Sequence, residues 1–113
     1  MAKECVFCNI VAGKVPANIL HQDDKVIAFR DISPQAPTHL LVIPKEHIPF
    51  LTELGAGRRE IPAHLISVAN KLAKSEGVAE KGYRLVMNCG REGGQVVPHL
   101  HLLGGRQLSG TMG

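Results

Sequence analysis

Five consecutive apolar residues, Leu40 to Pro44 (LLVIP), restrict the fold more than any other stretch of the chain. The run is short and rich in branched side chains, which suits a central strand buried on both faces. Such a strand needs a sheet beside it and a packed layer on each side. Pro44 ends it, and the preceding DISPQAPTH (Asp31 to His39) reads as a loop stiffened by Pro34 and Pro37. Ile19–Gln22 and Val26–Arg30 read as a hairpin turning through Asp23-Asp24-Lys25. Tyr83–Asn88 and His99–Leu103 read as further strands, the last stopped by Gly104-Gly105. Helical spacing of Val6, Phe7, Ile10 and Val11 predicts a short helix over Cys5–Ala12, closed by Gly13. Ile61, Leu65, Val68, Ala69 and Leu72 form one stripe of a long helix over Arg59–Glu76, with Gly77 as its cap. Leu51–Gly57 is a connection with no assignable structure. The pattern is a single α+β domain over residues 1–113, with a mostly antiparallel sheet.

Composition narrows the partners. The net charge is +3, the basic residues are scattered, and there are three Phe, one Tyr and no Trp. That is a poor platform for stacking single strands and no footprint for a duplex, so no nucleic-acid partner is expected. No run approaches the roughly 20 apolar residues of a membrane span. The stretch MAKECVFC lacks a signal-peptide core, and three cysteines without an export signal suggest a reducing, cytoplasmic setting.

The chemistry concentrates in VVPHLHLLGGR. In a strand, residues i and i+2 share a face, so His99 and His101 line one surface while Leu100 and Leu102 face the other way. A neutral imidazole can attack phosphorus when its second nitrogen is held by a hydrogen bond. A polar strand face with two ordinary histidines gives the same pattern. Just upstream, NCGREGGQ (Asn88 to Gln95) brings Gly90, Gly93 and Gly94 to a loop whose exposed amides can cradle phosphate. Asp31 stands at a strand end, where a carboxylate can accept ribose hydroxyls or serve as a turn residue. His39 enters the buried strand. Cys5-x-x-Cys8 spans one helical turn, so both sulfurs can reach one zinc ion, with His47 and His99 as further candidates. A redox dithiol or two free thiols would show the same spacing. Cys89 reads as packed or in the loop rather than as a ligand, and His21 and His64 read as surface residues without a partner pattern.

Together these segments resemble the histidine-triad nucleotide-binding proteins, in particular the Hint branch. The resemblance runs from about Val6 to Gln107. It is carried by FRDISPQAPTHLLVIPKEHI, GYRLVMNCGREGGQ and HLLGGRQ. It implies an α+β homodimer that binds purine nucleoside monophosphates and hydrolyses nucleoside phosphoramidates through a nucleotidyl-histidine. By resemblance, Asp31 holds the ribose hydroxyls. Phe7, Ile10, Phe29, Ile32 and Leu41 enclose the base. Asn88, Gly94 and Gln95 contact ribose and phosphate, and His39 orients or relays protons for the nucleophile. Zinc would similarly be held by Cys5, Cys8, His47 and His99, with no organic cofactor.

The family motif is His-x-His-x-His, whereas this chain has His99-Leu100-His101-Leu102-Leu103, two residues shorter. Counting forward from Gln95 makes His99 the first histidine and His101 the nucleophile. Counting back from Gly104-Gly105 makes His99 the nucleophile and His101 the third. Both registers preserve strand alternation. The forward count is preferred at this point, because it keeps the phosphate loop in step with the nucleophile and retains four zinc ligands. The shortened motif also admits a nucleotide- and zinc-binding module with little turnover. Dinucleoside polyphosphate hydrolysis or nucleotidyl transfer is a further alternative.

Overall fold

The computed structural model describes residues 6–46, 48, 58–88 and 99–108. Its elements are α1 (Val6–Val11), β1 (Ile19–Gln22), β2 (Val26–Arg30), β3 (Thr38–Pro44), α2 (Glu60–Ser75), β4 (Tyr83–Met87) and β5 (Leu100–Gly104). The five strands form one sheet in the order β1-β2-β3-β5-β4. Every neighbouring pair is antiparallel. The α+β class and each expected helix and strand are therefore present, with ends moved by at most two residues. The largest change is at Thr38 and His39, expected in a loop but paired in β3 with Gly104 and Leu103. The register with β5 draws both residues into the strand, while the His39 carbonyl accepts from the Asp31 amide.

All seven residues of β3 are buried, as a central strand between two layers requires. Register divides the side chains between those layers. Ala28, Val42 and Leu100 are opposite one another across β2, β3 and β5, as are Leu40 and Leu102 on β3 and β5. They pack with Ile61, Leu65, Val68, Ala69, Leu72 and Ala73 of α2 into the larger core. The stripe read from the sequence is thus the buried face of α2, and Gly77 follows it at φ +78°, where a glycine costs no Cβ strain. The opposite sheet face carries Ile27, Phe29, Leu41 and Ile43, which join Ile10, Phe7 and Val11 of α1 in a second cluster. This smaller core is where the histidines lie.

Candidate active site

Phe29, Leu41 and His101 are direct cross-strand partners in one row over β2, β3 and β5. His101 therefore points to the α1 side of the sheet. His39 sits opposite Leu103, one diagonal step from His101 on the same face. Its Nε2 lies 3.0 Å from Nδ1 of His101. His99 immediately precedes β5, and its ring centroid is 4.6 Å from that of His101. The other side of His99 meets Phe7 of α1 edge-on, also at 4.6 Å. All three histidines are at most 5% exposed.

The loop between β2 and β3 is closed by its own hydrogen bonds. The Asp31 amide donates to the His39 carbonyl at 3.0 Å, and the Ser33 amide donates to Asp31 Oδ1 at 2.8 Å. The Gln35 amide donates to His39 Nδ1 at 3.0 Å. That last bond decides a tautomer. A neutral imidazole has one N–H, so with Nδ1 accepting, His39 carries its proton on Nε2. Nε2–H then faces His101 Nδ1 at 3.0 Å and Asp31 Oδ2 at 3.3 Å. Since His101 Nδ1 accepts, its own proton sits on Nε2. This nitrogen is buried and has no hydrogen-bond partner among the described residues.

Burial lowers the pKa of His39, opposed by the Asp31 carboxylate. Burial also lowers that of His101, to about 4, helped by repulsion from His99 and His39. The pair is neutral near pH 7, and an anion would bring His101 Nε2–H an acceptor, which no described residue supplies. Asp31, His39 and His101 offer ligand atoms within 4.8 Å of one another, the one metal-sized group among the described residues. Those atoms already bond one another, which makes the group a proton network first.

Of the expected nucleotide contacts, Phe7, Ile10, Phe29 and Leu41 meet in the second cluster. Asp31 joins the histidine network. Ile32 is 95% exposed and is not buried with them. Asn88 follows β4 and is half-buried. Gly94, Gln95, Cys5 and His47 lie outside the described residues, while Cys8 lies within α1. Two parts of the network were missed in the sequence: the Gln35 amide, a backbone group with no side-chain signature, and Arg106, whose Nη2 donates to the Gln35 carbonyl at 2.8 Å. The reading of His21 and His64 as surface residues is also corrected, since both are half-buried and share a partner. Their Nε2 atoms lie 2.8 and 2.7 Å from the same oxygen of Asp23.

A paired histidine network beside an apolar cluster defines a class of protein, and the chain belongs to the HIT domain family, whose model matches residues 12–108. No helix among the described residues is long and apolar enough to cross a membrane. The chain is 52% identical over 110 residues to the purine nucleoside phosphoramidase of Escherichia coli K12, covering 96% of this chain and 92% of that protein. A HIT family hydrolase from Legionella pneumophila superposes with a TM-score of 0.90 at 49% identity, over 94% of this chain and 96% of that one. A histidine triad protein from Clostridium difficile gives the same TM-score at 38% identity, over 99% of this chain and 100% of that one.

Proposed function

We propose that the protein hydrolyses purine nucleoside phosphoramidates through a nucleotidyl-histidine, with His99, His101 and His39 as its catalytic histidines. The observation that carries this reading is the buried Nε2 of His101, without a partner among the described residues, in a ring held at Nδ1 by His39. The likeness to the Escherichia coli phosphoramidase supports the substrate class. Phe7, Ile10, Phe29 and Leu41 would receive the base, with Ile32 closing on it from the exposed loop. Asp31 would accept the ribose hydroxyls, and Asn88, Gly94 and Gln95 would contact ribose and phosphate.

The tautomer favours one division of labour. His101 presents Nε2–H, which donates to a phosphoryl oxygen and stabilises charge as it develops. His99, beside it, then supplies the attacking lone pair. Its ring nitrogen forms a bond to phosphorus while the P–N bond breaks, and the amine leaves with a proton from solvent. Water next cleaves the histidine–phosphorus bond, releasing the monophosphate and the free ring. This matches the count back from Gly104-Gly105.

A second reading follows from the edge contact of Phe7 with His99, which sets His99 against the helix that carries Cys8. Two thiolates and two imidazoles form a donor set that suits zinc. In this reading Cys5, Cys8, His47 and His99 hold a structural ion that ties α1 to the sheet, and His101 attacks after a tautomer shift. One ring cannot be both ligand and nucleophile, so the readings exclude each other.

An adenosine phosphoramidate labelled in the nucleotide, mixed with the protein and quenched in alkaline denaturant, tests both. A peptide adduct on His99 is the expected result, and an adduct on His101 overturns it in favour of the second reading's nucleophile. Nucleotide binding without adduct or turnover would make the protein a binding module and overturn the proposal. We also propose, on the resemblance alone, that the protein works as a homodimer in the cytoplasm.

A further inference from the structure

Arg106 follows the Gly104-Gly105 pair and is exposed. Its guanidinium nevertheless reaches back to the loop that governs the histidine rings. Nη2 donates to the Gln35 carbonyl at 2.8 Å, and Nη1 donates to the Gln107 carbonyl at 2.9 Å. The second bond braces the side chain against its own backbone, so the first is made from a restrained position. Gly105 brings the two segments together. A Cβ there would lie 2.8 Å from Pro37 Cβ, so only glycine permits this approach.

Gln35 is thus gripped from both sides: its carbonyl accepts from Arg106, and its amide donates to His39 Nδ1. The residue is exposed and lies in a stretch without regular secondary structure, so no ladder holds it. Without the grip, its amide can turn to water, and His39 can then carry its proton on either nitrogen.

We propose that Arg106 is a positioning residue: by holding the Gln35 carbonyl it keeps the Gln35 amide on His39 Nδ1, and so fixes which His39 nitrogen faces His101 with a proton. The inference rests on the catalytic reading above for its effect on rate, but not for its effect on the tautomer. Arg106 touches no reacting atom. Its loss changes the orientation and protonation pattern of the rings, not the composition of the site.

The test uses the full chain with Arg106→Ala and Arg106→Lys, at one fixed pH. Long-range proton–nitrogen correlation spectra of the histidine rings report which nitrogen of His39 is protonated. The wild type is expected to show Nε2–H alone. Arg106→Ala is expected to show a mixture of tautomers, and Arg106→Lys, which keeps a donor, to recover much of the wild-type pattern. The turnover number of Arg106→Ala with an adenosine phosphoramidate should fall about 10- to 100-fold at little-changed KM, the scale of a slightly misplaced catalytic group. A pure Nε2–H tautomer in Arg106→Ala overturns the proposal, whatever the rate. Absence of turnover in the wild type would instead sink the catalytic reading, leaving the tautomer measurement to stand by itself.

Discussion

His39 Nε2 and His101 Nδ1 lie 3.0 Å apart and share one hydrogen. Because the Gln35 amide occupies the far side of His39, that hydrogen belongs to His39, and His101 is left as a donor at Nε2. His101→Ala removes both the donor and the partner of His39. Phosphoramidate turnover is expected to fall by about 100- to 10,000-fold, the usual scale for a positioned proton-transfer or charge-stabilising group. His39→Ala should cost less, since it loosens the His101 ring without removing it. Steady-state kinetics of the two variants check the order, and a larger loss at His39 would contradict it.

The neutral burial of His101 also has a stability consequence. Its folded pKa of about 4 lies below the ordinary histidine value of 6.5, so between these values the unfolded chain binds more protons than the folded one. Stability therefore rises with pH through this window and falls as pH drops from about 6.5 toward 4. The shift corresponds to roughly 3 kcal/mol at most. Urea unfolding of the wild type and of His101→Leu at several pH values should show a flatter profile for the variant. Parallel profiles would mean that His101 does not stay neutral in the fold.

Much of this arrangement was legible in the sequence, for identifiable reasons. LLVIP could only be central, and the alternation of His99 and His101 with leucines placed both rings on one face. The stripe from Ile61 to Leu72 is the buried face of α2. What stayed hidden depends on pairing across the chain or on backbone groups. Thr38 and His39 become strand only because Gly104 and Leu103 lie beside them. Gln35 acts through its amide and carbonyl, which every residue has. His64 reaches Asp23 from 41 residues away, a distance no local spacing announces.

Asp23 should be the main polar anchor between the first hairpin and α2. One carboxylate oxygen accepts from the amides of Lys25 and Val26, and the other meets His21 and His64. The bond to His21 leads the effects that hold its pKa well below the ordinary carboxylate value, with His64 and the two amides adding to it. A depressed folded pKa gives stability that is complete above the unfolded value and is lost as pH falls through the folded one. Asp23→Ala is expected to cost about 1–3 kcal/mol at pH 7, the scale of leaving such partners unpaired. The difference from wild type should shrink in strong acid. Chemical denaturation at pH 7 and in strong acid, below the ordinary carboxylate range, measures both arms, and an equal cost at the two would argue against the ionised carboxylate as the source.

The contact of Gly105 with Pro37 gives the sharpest steric prediction. Gly105 has φ +95°, and a Cβ there would sit 2.8 Å from Pro37 Cβ and 3.3 Å from its Cγ. Gly105→Ala therefore meets backbone strain and a clash together, for about 1–3 kcal/mol of strain before the clash is relieved. Gly104 offers a control: its φ is not in the left-handed region, and its added Cβ would meet Val78 side-chain atoms at 3.1–3.3 Å. Gly104→Ala should cost less, because a side chain can yield by tenths of an ångström. Pro37→Gly removes the clashing atoms but not the strained φ, so it should recover part of the Gly105→Ala loss. Pro37→Ala keeps the Cβ and should recover little. A thermal-unfolding double-mutant cycle separates the two terms, and full recovery with Pro37→Ala would show that Cγ, not Cβ, sets the approach of the two loops.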